Sequence, residues 1–317
     1  MFFLPALGLV ILGLEWCLKR ELGMRIVCKR TDELSSSEWR QIVALFESVF
    51  ERENSIERLK EAYTQNVLGY SFHAIIEDDD QIVGLNSYVP AYYLFKGEKM
   101  LFANSVTSMV AKKYRDFFSF FDMVKAAYSY MAKNGVSFVF GYPNDNSYPV
   151  LLKSALSFLN LFSVCISRLW VGFLGLFANP DIYDYQIHKE EESYNRMRYS
   201  RQDGDYRKIN ERGCEFVYKI MRYDHIWTAF LIDVSPKSSR NFNKALQYLI
   251  KHQGKEFDLI LYIVSIPSLY TGLIRIPERL EPKRFNFMGR ILDSKSIDNA
   301  IWDLHLWDTN LSNYDLL

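Results

Sequence analysis

Short-spaced cysteine pairs are missing from this sequence, as are an excess of charge of one sign and any apolar run long enough to span a bilayer. The four cysteines, Cys17, Cys28, Cys165 and Cys214, are scattered, so neither a zinc site nor a disulfide framework is indicated, and a reducing compartment fits. Lys plus Arg and Asp plus Glu stand at 38 each, which removes the basic footprint of a general nucleic-acid binder. No G-x-S-x-G elbow, P-loop or dinucleotide fingerprint is present. The apolar stretch from Phe2 to Leu14 falls short of the roughly 20 residues a spanning helix needs. Lys19 and Arg20 follow that stretch, whereas a secretory signal carries its basic residues first. Residues 1–23 are therefore expected to be an apolar extension upstream of a natural start at Met24, with a short anchor or a docked helix as alternatives. Membrane contact is expected only in the anchor case, and the chain is expected to be cytoplasmic.

What the sequence does have is apolar material: 49% hydrophobic and 16% aromatic residues over 317 positions, enough for two cores of ordinary size. Arg25 to Lys29 reads as a first strand. Ser35 to Ser37 offer caps for a helix whose Trp39, Ile42, Val43, Phe46, Val49 and Phe50 recur at three-and-four spacing, and Ser55 caps a second helix carrying Ile56, Leu59 and Tyr63. Phe72 to Ile76, Gln81 to Val89 and Lys99 to Val110 are β-rich runs broken by turns at Asp78 to Asp80 and Lys96-Gly97, an antiparallel meander. Helical period returns through Phe120, Phe121, Val124, Tyr128 and Met131 and stops at Asn134-Gly135. A short strand, Val136 to Phe140, follows, and Ser147 can cap a further short helix to about Leu156.

This order resembles the GNAT superfamily of acyl-CoA-dependent N-acyltransferases, and two segments carry the likeness. Ala111-Lys112-Lys113-Tyr114-Arg115-Asp116-Phe117-Phe118 is similar to the family's pyrophosphate loop, with Tyr114 and Arg115 matching and Phe118 standing where the family has glycine. Consecutive backbone N–H groups at a helix start form an anion site. The resemblance thus implies an acyl-CoA contact through Met109, Val110, Arg115, Asp116, Phe117, Phe118 and Ser119. Val139 to Tyr148 is similar to the "GfPNenSy" segment of a bacterial, tandem-type GNAT branch. It implies that Asn144 and Asn146 face the pantetheine arm or thioester and that Tyr148 protonates the leaving thiolate. An attacking amine must be unprotonated, and Glu98 is the expected base, with Asp122 and His73 also near the sheet.

From Asn179 to Asp205 the composition turns charged and tyrosine-rich, which suggests a junction. The expected organisation is an extension over 1–23, a GNAT-like domain over 24–178, the junction over 179–205 and a degenerate second GNAT-like half over 206–317. The expected fold is mixed α/β, with a mostly antiparallel sheet flanked by helices. Tyr194 to Tyr199 and Trp302 to Asp308 look like the entry and end landmarks of such a second half. Trp302 and Trp307 could form either a packed cluster or a sugar platform. The resemblance implies transfer of an acetyl group from acetyl-CoA, or another acyl group from its CoA ester, to a small-molecule amine, an amino sugar among the candidates. Two other readings stay open. If the loop requires left-handed backbone at Phe118, a cost of roughly 1–2 kcal/mol and the ring's bulk would make the chain a catalytically inactive binding or scaffold protein. A Fem-type aminoacyl transferase is the third possibility, disfavoured by the neutral charge. No nucleic-acid partner and no metal are expected.

Overall fold

The structure is a computed structural model that describes residues 24–115, 117–143, 157–160, 162–166, 181–199, 205–223, 225–264, 274–275 and 286–313. Its first half follows the predicted order. Strand β1 (Arg25–Arg30) leads to helix α1 (Ser36–Phe50). There the Ser35 hydroxyl accepts from the Glu38 N–H at 3.3 Å while the Glu38 carboxylate accepts from the Ser35 N–H at 2.8 Å, a reciprocal capping box. Ser55 caps α2 (Ile56–Thr64) in the same sense. Strands β2 (Phe72–Asp78), β3 (Gln81–Phe95) and β4 (Glu98–Val110) form the meander. β3 runs six residues past its expected end, through Pro90. Proline is tolerated because β2 pairs β3 only as far as Tyr88, so the Pro90 nitrogen lies on an edge that needs no donor. Helix α3 (Phe117–Lys133) ends where Gly135 takes φ +80°, and β5 (Phe138–Gly141) returns parallel to β4.

The sheet built on these strands has the order β1-β2-β3-β4-β5, continued by β14 (Asn286–Ile291) and β6 (Ser157–Asn160), with β8 (Ile187–Lys189) pairing β3. Alternation along the strands sends successive side chains to opposite faces. Ile75, Leu85 and Met109 meet Trp39, Ile42 and Phe46 of α1, whereas Ala74, Ile76 and Ala103 meet Met123, Ala127 and Met131 of α3. Phe102, on the face away from α3, belongs to an aromatic cluster with Tyr93, Phe138, Phe140, Phe287 and Trp307.

The second sheet has the order β13-β7-β12-β11-β10-β9. It contains β7 (Phe162–Ile166), β9 (Arg207–Glu211), β10 (Cys214–Tyr223), β11 (Ile226–Ser235), β12 (Leu259–Val264) and β13 (Ile274–Arg275). Helix α5 (Ser239–Gln253) covers one face with Phe242, Ala245, Leu246 and Leu249. Leu311 and Tyr199 of α4 (Glu191–Tyr199) pack on the other. The sheets do not divide at the expected junction. β7, from before residue 179, pairs β12, and β14, from after 205, pairs β5. The segment read as a junction, 179–205, supplies β8 and α4 among its described residues. Its Lys189 side chain is fully buried and ion-paired with Asp233. No helix among the described residues is long and apolar enough to cross a membrane, and residues 1–23 lie outside them.

Candidate active site

The strand before α3 carries the feature on which the site is built. β4 pairs β5 in parallel over four rungs, Phe102↔Phe138 to Ser105↔Gly141. On its other edge the register against β3 passes from Tyr88↔Ser105 to Ser87↔Thr107, so Val106 is an extra, bulged residue. A bulge bends its strand and sharpens the local twist. Here the bend falls immediately after the last β5 rung, so β4 leaves β5 and its edge from Val106 to Val110 has no partner in β5. Gly141 allows that last rung to close, because a Cβ there would sit 3.1 Å from the Ser105 Cβ.

Met109 and Val110 lie on this open stretch, Met109 buried and Val110 half-buried. The chain then makes a 3-10 turn, Lys112–Tyr114, and enters α3 at Phe117. Two contacts hold the turn. The Arg115 Nε donates to the Val110 carbonyl at 2.8 Å, and the Tyr114 hydroxyl donates to the Asp78 carboxylate at the end of β2. Lys112, Lys113 and Arg115 are exposed beside the helix start, so positive charge and the α3 dipole coincide there. Phe117, Phe118 and Ser119 form the first turn of α3. The backbone at Phe118 is therefore helical, and the penalty considered for a left-handed residue does not arise. A strand edge with no β-strand partner among the described residues, a helix N-terminus and three nearby cations make a fitting cradle for a pantetheine arm followed by a diphosphate. Asp116, Asn144, Asn146 and Tyr148 lie outside the described residues.

The expected base is elsewhere. Glu98 is exposed at the first residue of β4, twelve residues from Val110, on the order of 40 Å along the strand. His73 is buried, and its ring nitrogens lie 2.9 Å from the Thr31 and Ser87 hydroxyls. Burial pushes its pKa down to about 3, so it is a neutral core group. Asp122 is half-buried in the second turn of α3. From Val106 to Val110 the open edge of β4 carries no carboxylate.

Sequence reasoning missed Asn104. Its Nδ2 donates to the Asn313 carbonyl at 3.1 Å, while its Oδ1 is buried without a partner among the described residues. A β-strand asparagine gives no signal of such a role until its distant partner is known. Trp307 is a packed core residue: it is 1% exposed, its Nε1 donates to the Ile301 carbonyl at 2.8 Å, and it meets Phe102 and Phe287. That excludes it as a sugar platform.

The second sheet repeats this construction. β10 and β11 are antiparallel, with Ile232 bulged between the Val217↔Asp233 and Tyr218↔Leu231 rungs. Helix α5 follows, and β12 runs parallel to β11 over Thr228 to Phe230. The opening past that bulge is filled. Asp233 pairs with Lys189 and Lys237, Lys237 reaches Asp308 at 3.2 Å, and the Asn310 Nδ2 donates to Asp233 at 3.0 Å.

A sequence profile described as the acetyltransferase (GNAT) domain matches residues 30–152. A comparison with curated proteins found no match. Among solved structures, the chain is similar to a conserved protein of unknown function and probable N-acyltransferase from Enterococcus faecalis V583, with TM-score 0.60 and 14% identity over 85% of this chain and 73% of that one. It is also similar to a GCN5-related N-acetyltransferase from Anabaena variabilis ATCC 29413, with TM-score 0.58 and 10% identity over 84% and 73%. Eis1 from Mycobacterium abscessus gives TM-score 0.57 and 10% identity over 86% and 74%. At these identities the likeness is one of fold. Residues 30–152 thus match the acetyltransferase (GNAT) domain, and the chain shares the fold of these N-acyltransferase structures.

Proposed function

We propose that this protein transfers an acyl group, acetyl in the first instance, from its CoA thioester to the amine of a small molecule, with amino sugars as the first class to try. One observation carries the reading: β4 parts from β5 at Val106 and leads, through a cationic turn, into the N-terminus of α3. In this reading the free edge of β4 from Val106 to Val110 aligns the pantetheine amides, and the first-turn N–H groups of α3 with Lys112, Lys113 and Arg115 hold the diphosphate. The CoA ester supplies an activated acyl carbonyl. Attack forms the C–N bond and breaks the C–S bond. The amine gives up one proton, and the thiolate takes one from an acid, for which Tyr148 is the candidate. Since the open edge offers no carboxylate, the amine's proton passes to water, and the rate should climb with pH toward the pKa of whichever amine is turned over.

The second sheet, with its opening filled, supports a reading as a degenerate half that serves the first. The test is calorimetry with acetyl-CoA, together with thiol release against glucosamine, putrescine and lysine. Micromolar binding with turnover of one amine is the expected result. Absence of binding at millimolar cofactor would overturn the reading. If a Phe118→Gly variant alone gained affinity, the inactive-module alternative would replace it.

A further inference from the structure

Residues 304–313 form a strap between the two sheets. Trp307 is embedded in the aromatic core of the first sheet, and Leu311 in the core of the second. Between them the strap is fastened by charge. Lys189 of β8 donates to Asp233 of β11 and to the Ser312 hydroxyl, and Lys237 donates to Asp233 and to Asp308 of the strap. Tyr194 of α4 donates to the Ser312 carbonyl at 2.8 Å, and the Ser312 N–H donates to the Asn310 side chain at 2.9 Å. All four ionised groups are buried, two of each sign, so neither sign is left uncompensated. The strap's last described residue turns to the first sheet. The Asn313 Nδ2 donates to the Tyr93 hydroxyl at 2.6 Å, and the Asn313 carbonyl accepts from the Asn104 Nδ2 at 3.1 Å.

Asn104 is the β4 residue on the rung before the last one shared with β5, two residues ahead of the bulge. An amide whose nitrogen is committed has its oxygen's direction set as well. That oxygen is buried and unpartnered among the described residues, although buried polar atoms are nearly always paired. Resting on the acyltransferase reading above, we infer that Asn104 Oδ1 is the hydrogen-bond acceptor for the incoming amine's N–H. Asp308 and the buried lysine–aspartate cluster are positioning residues that aim it through the strap. The filled opening of the second sheet thereby becomes the anchor of the acceptor side of the first.

The experiment compares Asn104→Leu and Asp308→Asn with the unaltered protein, using acetyl-CoA and whichever amine of the panel is turned over. Asn104→Leu should raise the KM for the amine about ten-fold, the scale of one hydrogen bond, and leave the acetyl-CoA Kd within two-fold. Asp308→Asn should shift the amine KM in the same direction and speed hydrogen–deuterium exchange in peptides covering 101–106 and 307–313, with β1 and β2 unchanged. An amine KM unmoved by Asn104→Leu, or equal losses for amine and acetyl-CoA, would overturn the role of Asn104. Unchanged exchange over 101–106 in Asp308→Asn, or acceleration spread over the whole chain, would overturn the positioning role. An unaltered protein that neither binds acetyl-CoA nor turns over any amine would sink the transferase reading and the acceptor role together, while the exchange result would still decide the strap.

Discussion

Replacing His73 by glutamine should remove a defined part of this protein's acid sensitivity. His73 is 1% exposed, and burial lowers its pKa from 6.5 to about 3. Between those values the unfolded chain binds a proton that the folded chain refuses, so stability rises with pH across the window and falls as the solution is acidified. The sign follows from the neutral form being the one the fold accepts. With one proton's difference and 1.36 kcal/mol per pH unit, acidification from pH 7 to pH 4.5 should cost about 2.5 kcal/mol through this residue alone. Asp233 acts lower down. Burial raises it, but the Lys189 and Lys237 ammonium groups outweigh burial and hold it well below the usual carboxylate range. Its contribution is therefore present above the unfolded value of about 3.9 and is lost only as pH drops further, which leaves the interval from 6.5 to 4.5 to histidine. Glutamine keeps polar atoms for Thr31 and Ser87 but does not titrate. Urea unfolding followed by circular dichroism at half-unit pH steps measures both proteins. The unaltered chain should lose about 2.5 kcal/mol more than His73→Gln between pH 7 and pH 4.5. Parallel curves would show that His73 protonates in the fold without penalty, and the reasoning from its burial would fail.

Three other outcomes are expected. Arg115→Ala should weaken acetyl-CoA binding about five-fold and reduce its salt dependence, read by calorimetry at two ionic strengths, since both the staple to Val110 and one charge at the helix start are lost. Gly289→Ala should cost about 1–3 kcal/mol in thermal or urea unfolding, because its Cβ would stand 2.1 Å from the Phe138 ring; a neutral result would mean that ring can move freely. Asp233→Asn should destabilise the chain by about 3–5 kcal/mol at pH 7, because Lys189 and Lys237 both lose their shared carboxylate. A melting curve coinciding with that of the unaltered protein would contradict the buried pairing.

The parts of the fold legible in the sequence are those encoded locally. Ser35 with Glu38, Ser55, and the Asn134-Gly135 stop each declare a helix end within a few residues, and the alternation of β2 to β4 declares a meander. Met109, Val110 and Arg115, which the family resemblance singled out, lie on a contiguous strand end, turn and helix approach. Glu98 was misplaced because a sequence does not show which end of a long strand faces the opening. Lys189 was harder still. Beside Glu190, Glu191 and Glu192 it reads as part of a solvated charge run, while its true partner Asp233 lies 44 residues away. The exchange of β7 and β14 between sheets and the pairing of Asn104 with Asn313 are likewise long-range facts, settled by tertiary packing and left unmarked by local pattern.

In the acyltransferase reading proposed above, the two bulged strands differ in a way that leaves one opening for the cofactor. Both β4 and β11 kink one residue before a polar side chain, Thr107 in the first case and Asp233 in the second. Each is followed by a turn containing lysine and then a helix. In the first, Lys112 and Lys113 are exposed. In the second, Lys237 folds back on Asp233 and Asp308, so the cation available there is already neutralised by the chain's own carboxylates. A buried ion cluster is a poor source of stability compared with an apolar plug of the same size. What it does supply is direction, since each ammonium must meet particular oxygens in a fixed register. A greasy plug could close the second opening equally well and still let the strap slide. Lys189, tied to both Asp233 and Ser312, fastens the strap in the seating from which the Asn313 carbonyl accepts from Asn104.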